Sequence, residues 1–162
     1  MRKWILTIII VLVLVAGLAA IYIFIPGKLP VSHVMPLDGT LNSISRVITD
    51  SSKWKSSWPD STQQSLTYDG YTYRVQKGMY NAAEVHILHG SDSVKSIMTL
   101  LPVNKDSIIL DWRFDMQTGF TPWGKIGSKA RASKLKANME TVLSHFKAFV
   151  EKKRGVTGSS LR

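Results

Sequence analysis

The chain has no cysteine among its 162 residues, which excludes disulfides, thiolate metal ligands, a cysteine nucleophile and a lipoprotein-type thioether anchor. The Gly-x-Ser-x-Gly elbow of serine hydrolases is missing, and no glycine-rich phosphate loop leads into a helix. Proline is sparse at six residues, and there are no internal repeats, so the composition is that of a folded globular chain with long regular elements. Acid is scarce too: eleven carboxylates stand against twenty-one lysines and arginines, for a formal charge of +10.

Located along the chain, that charge stops looking like a nucleic-acid signal. Arg2 and Lys3 supply two cations, residues 26–120 balance at nine basic and nine acidic, and residues 121–162 hold ten basic against Glu140 and Glu151. No nucleic-acid partner is expected. The C-terminal excess reads as a solvated helix face with a frayed tail, or as a surface for anionic lipid headgroups, where each cation is worth about 1 kcal/mol.

Charge vanishes entirely from Trp4 to Ile25, a run of 22 residues without a polar stripe. As a helix it reaches about 33 Å at about 1.5 Å per residue, enough to cross a bilayer, so residues 4–25 are expected to partner membrane lipid. A cleavable leader is the competing reading, with Gly17-Leu18-Ala19 as its small-x-small site. The apolar run, however, continues through Tyr22, Phe24 and Ile25, which favours an uncleaved anchor. Arg2 and Lys3 precede the span and only Lys28 closely follows it, so the N-terminus is expected in the cytoplasm and the domain outside, in the periplasm if the cell is bacterial.

The expected organisation is a transmembrane anchor at 1–25, a stiff linker at 26–30, a folded domain at 31–152 and a disordered basic tail at 153–162. A first strand runs from Val31 to Leu37, and Asp38 or Thr40 caps a helix through Leu41, Ile44, Val47 and Ile48. A second helix carries Trp54 and Trp58, one turn apart on one face, and Pro59 stops it. Strands and tight turns follow from Ser65 to Thr118, beginning with a hairpin at Asp69-Gly70. Alternation is clearest at Ile108–Met116, where Leu110, Trp112, Phe114 and Met116 face in and Asp111, Arg113 and Asp115 face out. Pro122 and Trp123 introduce a last helix, expected from near Ile126 or Ser128 to about Lys152. Its apolar stripe includes Leu135, Met139, Val142, Leu143 and Phe146.

A strand, two short helices, antiparallel strands and a long final helix make an α+β chain whose order resembles the helix-grip fold of the SRPBCC superfamily, which includes START-type lipid-transfer domains, polyketide cyclases and the birch-pollen-allergen type. The segment Asp50-Ser-Ser-Lys-Trp54-Lys-Ser-Ser-Trp58-Pro59 is similar to that family's D-x-x-x-W-x-x-W-x-P region, with one extra residue between the second tryptophan and the first. Trp112-Arg-Phe114 and the stretch Met139–Phe149 resemble its last strand and gripping helix. The layout as a whole resembles membrane-anchored members of Bacteroidetes type. The resemblance implies a cavity between sheet and C-terminal helix that holds a hydrophobic or amphipathic small molecule, with no cofactor.

The candidate cavity residues are Trp54, Trp58, Tyr71, Tyr73, Val85, Ile87, His89, Met98, Leu110, Trp112, Phe114, Met116, Leu135, Met139 and Val142, with Trp123 joining Trp54 and Trp58 at the mouth. Taken singly, each is better explained as ordinary core, because a domain of this size must bury such residues anyway. His86-x-x-His89 has opposite strand parity and cannot chelate one ion, so no metal is expected; the same parity puts His89 on the inner face, as a pocket donor or, the favoured reading, a strand-end residue near solvent. No catalytic residue is expected either. A cyclase or hydrolase would need a polar constellation among residues such as Tyr73, Arg74 and His89, and Arg74 has the wrong parity. A third reading keeps the fold but fills the cavity, leaving a structural or interaction module whose protein partner the sequence does not name.

Overall fold

The computed structural model describes residues 2–59 and 65–159. Along the chain run α1 (Arg2–Phe24), β1 (Lys28–Asp38), α2 (Leu41–Ile48), α3 (Ser51–Ser57), β2 (Thr67–Tyr68), β3 (Tyr71–Met79), β4 (Ala82–His89), β5 (Asp92–Asn104), β6 (Ser107–Gln117) and α4 (Pro122–Ser159). Two compact units result. One joins the segment up to Leu29 with Met116–Lys134, and the other joins Pro30–Asp115 with the helix from Leu135 onward.

In the first unit α1 is the one helix among the described residues long and apolar enough to cross a membrane, and its side chains are almost all exposed. In the second, the six strands lie in the order β1-β6-β5-β4-β3-β2. Neighbours from β2 to β6 pair antiparallel. Local chemistry places the turns. Asp69 and Gly70 both take positive φ, 51° and 81°, the combination a two-residue hairpin needs to match the twist of its strands. Thr40 caps α2 through its hydroxyl, and Asp50 caps α3 by accepting from Ser52 N at 3.0 Å and Ser52 Oγ at 2.6 Å.

Three boundaries differ from the sequence-based expectation. β1 begins at Lys28, so most of the segment expected as a linker is strand. α4 begins at Pro122, four residues or more before the expected start, because proline at the first helical position lacks only an N–H that would be unpaired anyway. Thr121 supports that start by accepting from Gly124 N at 3.0 Å. At its far end α4 runs to Ser159 through the segment expected as a tail, of which residues 160–162 lie outside the described residues.

The core of the second unit lies between the inner face of the sheet and the stripe Leu135, Met139, Val142, Leu143 and Phe146 of α4. On β6, Ile108, Leu110, Trp112 and Phe114 are buried while Arg113 and Asp115 are exposed, as strand parity requires.

Candidate functional site

Three tryptophans and a tyrosine organise the interior. Trp54 stacks on Trp58 with ring centroids 6.0 Å apart and meets Trp112 edge-on at 6.5 Å; Trp58 meets Tyr73 at 5.1 Å, and Tyr73 meets Trp112 at 6.0 Å. Phe146 of α4 closes the cluster 6.4 Å from Trp54. Each indole N–H is satisfied. Trp54 Nε1 donates to Ile48 O at 3.0 Å, Trp58 Nε1 to Thr67 O at 2.8 Å and Trp112 Nε1 to Ser96 Oγ at 2.9 Å, whose own proton goes to Val85 O at 2.6 Å. Buried aromatic bodies with paired polar tips are the arrangement of a finished core.

The space left over is correspondingly small. A pocket lined by Trp54, Ser57, Trp58, Met98, Leu110, Val142, Leu143 and Phe146 measures about 10 Å³, room for about one water. Of the residues expected to line a cavity between sheet and gripping helix, Trp54, Trp58, Met98, Leu110 and Val142 line this small pocket. The sequence shows which residues face inward, but inward residues that meet each other leave no volume, and that is decided by packing alone.

Of the expected lining residues, Trp54, Trp58, Tyr71, Tyr73, Val85, Ile87, Met98, Leu110, Trp112, Phe114, Leu135, Met139 and Val142 are buried in the second unit. Met116 is also buried but belongs, with Trp123, to the first unit. Trp123 is 80% exposed. His89 is exposed at the end of β4, where its ring lies 4.7 Å from that of Tyr71. His86 instead pairs with Glu84, Nε2 to Oε1 at 2.7 Å, and this hydrogen bond holds the Glu84 carboxyl below its ordinary range. Tyr73, Arg74 and His89 do not converge, since Arg74 points outward into solvent. Among the described residues no group of three or more His, Asp or Glu is placed to hold a metal.

Two polar atoms in this interior stand out. The Tyr73 hydroxyl and the Asn138 Nδ2, on residues 1% and 5% exposed, make no well-formed hydrogen bond although the two side chains are close enough to interact. Burial raises the Tyr73 phenol well above its ordinary value, so it stays protonated throughout the physiological range. Asn138 was not singled out in the sequence; its place inside the apolar stripe of the last helix, between Leu135 and Met139, is the signal that could have found it.

A second concavity is of another size. A groove of about 540 Å³ is lined by Asp38, Gly39, Thr40, Ser43, Arg46, Val47, Lys53, Asp106, Phe149 and Val150. Val47, Phe149 and Val150 give it an apolar floor, Arg46 and Lys53 stand on the side of α2 and α3, and Asp38 and Asp106 on the side of the strand ends. Lys53 is held by Asp50 at 3.2 Å and by Arg46 O at 3.2 Å, while Arg46 is exposed. The sequence gives no hint of this groove, because its walls come from four separate segments.

No protein-family model and no curated protein matches the chain. Solved structures do match. Aha1 from Colwellia psychrerythraea, solved in solution as a dimer, superposes with a TM-score of 0.56 over 76% of this chain and 96% of that one, at 10% identity. A START superfamily protein from Mycobacterium smegmatis superposes with a TM-score of 0.54 over 76% of this chain and 97% of that one, at 15% identity. The chain has the SRPBCC, or START-like, helix-grip fold. The same fold recurs in the di-domain ARO/CYC BexL from the BE-7585A biosynthetic pathway, with a TM-score of 0.56 over 76% of this chain and 46% of that one, at 12% identity. Across these START-like structures the architecture is shared while nearly nine side chains in ten differ, so pocket and groove have to be judged on this chain's own residues.

Proposed function

We propose that this chain is a membrane-tethered START-like domain that binds an amphipathic small molecule in the groove between α2, the strand ends and the C-terminal part of α4. The observation that carries this reading is volume: about 540 Å³ in the groove against about 10 Å³ in the pocket under Trp54 and Trp58, when small-molecule sites run to about 300–1,000 Å³. Its chemistry suits a molecule with an apolar body over Val47, Phe149 and Val150 and a polar head reaching Arg46. The tether is α1, and the charge at Arg2 and Lys3 supports an extracytoplasmic domain. An alkaline phosphatase fusion at the C-terminus tests that topology, since it is active only outside the cytoplasm.

A second reading is favoured by one specific observation. The Tyr73 hydroxyl and Asn138 amide, which make no well-formed hydrogen bond, suit an interior site in which Trp54 and Trp58 give way to a hydrophobic ligand carrying one hydroxyl or carbonyl. Neither reading draws on an acid–base pair, and an enzyme of cyclase or hydrolase type has no such pair among the described residues of the interior pocket, whose one polar side chain, Ser57, donates to Trp54 O.

Native mass spectrometry of the full chain, released from detergent and presented with fatty acids, lysophospholipids and sterols, separates the two. Loss of a bound molecule in Arg46→Glu with retention in Asn138→Leu supports the groove, and the opposite pattern supports the interior. A bare mass under every condition, with an unmoved melting temperature, sinks both.

A further inference from the structure

The end of α1 is tied to a loop a hundred residues away. Tyr22 Oη donates to Phe120 O at 2.7 Å, and Lys125 Nζ donates to Ile25 O at 2.6 Å while lying 5.4 Å from the centroid of the Tyr22 ring. Thr118 adds two bonds to the chain just beyond α1, its N–H to Gly27 O at 3.0 Å and its hydroxyl to Pro26 O at 2.9 Å. Lys125 is only 7% exposed, and it places its ammonium at the C-terminal end of a helix, where the unpaired carbonyls and the negative end of the helix dipole favour a cation. All of these residues belong to the first compact unit.

The loop that is pinned there wears its apolar side chains outward. Phe120 is 95% exposed and Trp123 80%, with Ile126 at 42%, and they recur at steps of three across the start of α4. Water does not leave two large aromatic rings and an isoleucine uncovered on one short stretch without cost, and single scattered apolar residues are not the comparison here. Because Phe120 O accepts from Tyr22, the backbone that carries these rings is held beside the last turn of α1, the level at which aromatic side chains collect between hydrocarbon and water.

We infer that Phe120, Trp123 and Ile126 form a second membrane contact, a wedge that enters the headgroup–acyl boundary of the leaflet from which α1 emerges. The occupant of this surface is lipid. The surface is continuous with the apolar helix it is bonded to, and Lys129, one further turn along α4 and exposed, offers a cation to the phosphates above the wedge. Lys125 is the positioning residue, since its bond to Ile25 O sets the loop against the helix end. The inference rests on the proposed reading of α1 as a membrane span.

The cysteine-free chain makes the test direct. Single variants Phe120→Cys, Trp123→Cys, Leu12→Cys and Lys105→Cys of the full chain carry a nitroxide label in phosphatidylcholine–phosphatidylglycerol vesicles, and collisions with oxygen and with a water-soluble nickel chelate report depth. Labels at 120 and 123 are expected to lie roughly 5–10 Å below the headgroup surface, with nickel accessibility severalfold under that at 105. Adding Lys125→Met to Trp123→Cys is expected to raise nickel accessibility at 123. Nickel accessibility at 120 and 123 equal to that at 105, with the label at 12 deep in hydrocarbon, overturns the wedge and leaves the span intact. A label at 12 that is open to nickel removes the span and the wedge together. Protection at 120 and 123 that disappears on dilution into excess lipid assigns the surface to a second copy of the chain and also overturns the proposal.

Discussion

Trp54→Ala is the sharpest test of a filled interior. The indole is 2% exposed, touches the rings of Trp58, Trp112 and Phe146, and satisfies the Ile48 carbonyl. Truncating a buried tryptophan costs about 3–5 kcal/mol in lost burial and residual cavity. Against a total stability of about 5–15 kcal/mol that is a large fraction, and at about 2–4 °C per kcal/mol the melting temperature should fall by on the order of 10 °C. Trp54→Phe keeps most of the ring surface and loses the N–H, leaving the Ile48 carbonyl unpaired for about 1–3 kcal/mol. Urea titration of the full chain in mild detergent, followed by near-ultraviolet circular dichroism, reads both. Added indole should restore part of the loss in Trp54→Ala, because a vacated apolar cavity binds a ligand of the shape removed. A cost under about 1 kcal/mol in Trp54→Ala would refute the packed cluster, since no buried residue with those neighbours is removed so cheaply.

Tyr73→Phe deletes a buried hydroxyl that makes no well-formed hydrogen bond, so the melting temperature should hold or rise; a fall of several degrees would reveal a bond closed directly to Asn138 or through a bound water or ligand. Gly78→Ala should cost about 1–3 kcal/mol, because a Cβ there would meet Thr49 Cβ and Cγ2 at 2.8 Å, whereas Gly27→Ala, with nothing within 4 Å, should be silent in the same thermal melt. Asp50 titrates at about 2 rather than 3.8, held down by the Ser52 hydroxyl, Lys53 and the Ser52 N–H. A folded value below the unfolded one means the cap's contribution is complete above about pH 4 and is lost as the pH falls through about 2, which carboxyl chemical shifts and the Ser52 amide shift should follow together.

Much of the architecture was legible because it is written in local periodicity. The uncharged run before Pro26 can be only a very apolar helix, the alternation on β6 assigns its two faces, and Asp69-Gly70 calls for a hairpin. The start of α4 departs from the expected one for a local reason of opposite sign, since Pro122 initiates a helix as readily as it breaks one. Strand and helix parity also marks the inward side chains: thirteen of the sixteen candidate lining residues are buried in the second unit, and five of them line the pocket of about 10 Å³.

What the chain determined by itself is therefore the set of elements, the inward face of each strand and helix, and the helix-grip order, all of which follow from side-chain period and turn chemistry over a few residues. Tertiary structure alone decided that the pocket between Trp54, Trp58, Met98, Val142 and Phe146 holds about 10 Å³, that a groove of about 540 Å³ opens over Val47 and Phe149, and that Lys125 reaches Ile25. Volume is what remains after segments far apart in sequence have packed. No local pattern encodes that remainder, because changing either partner of a contact changes it.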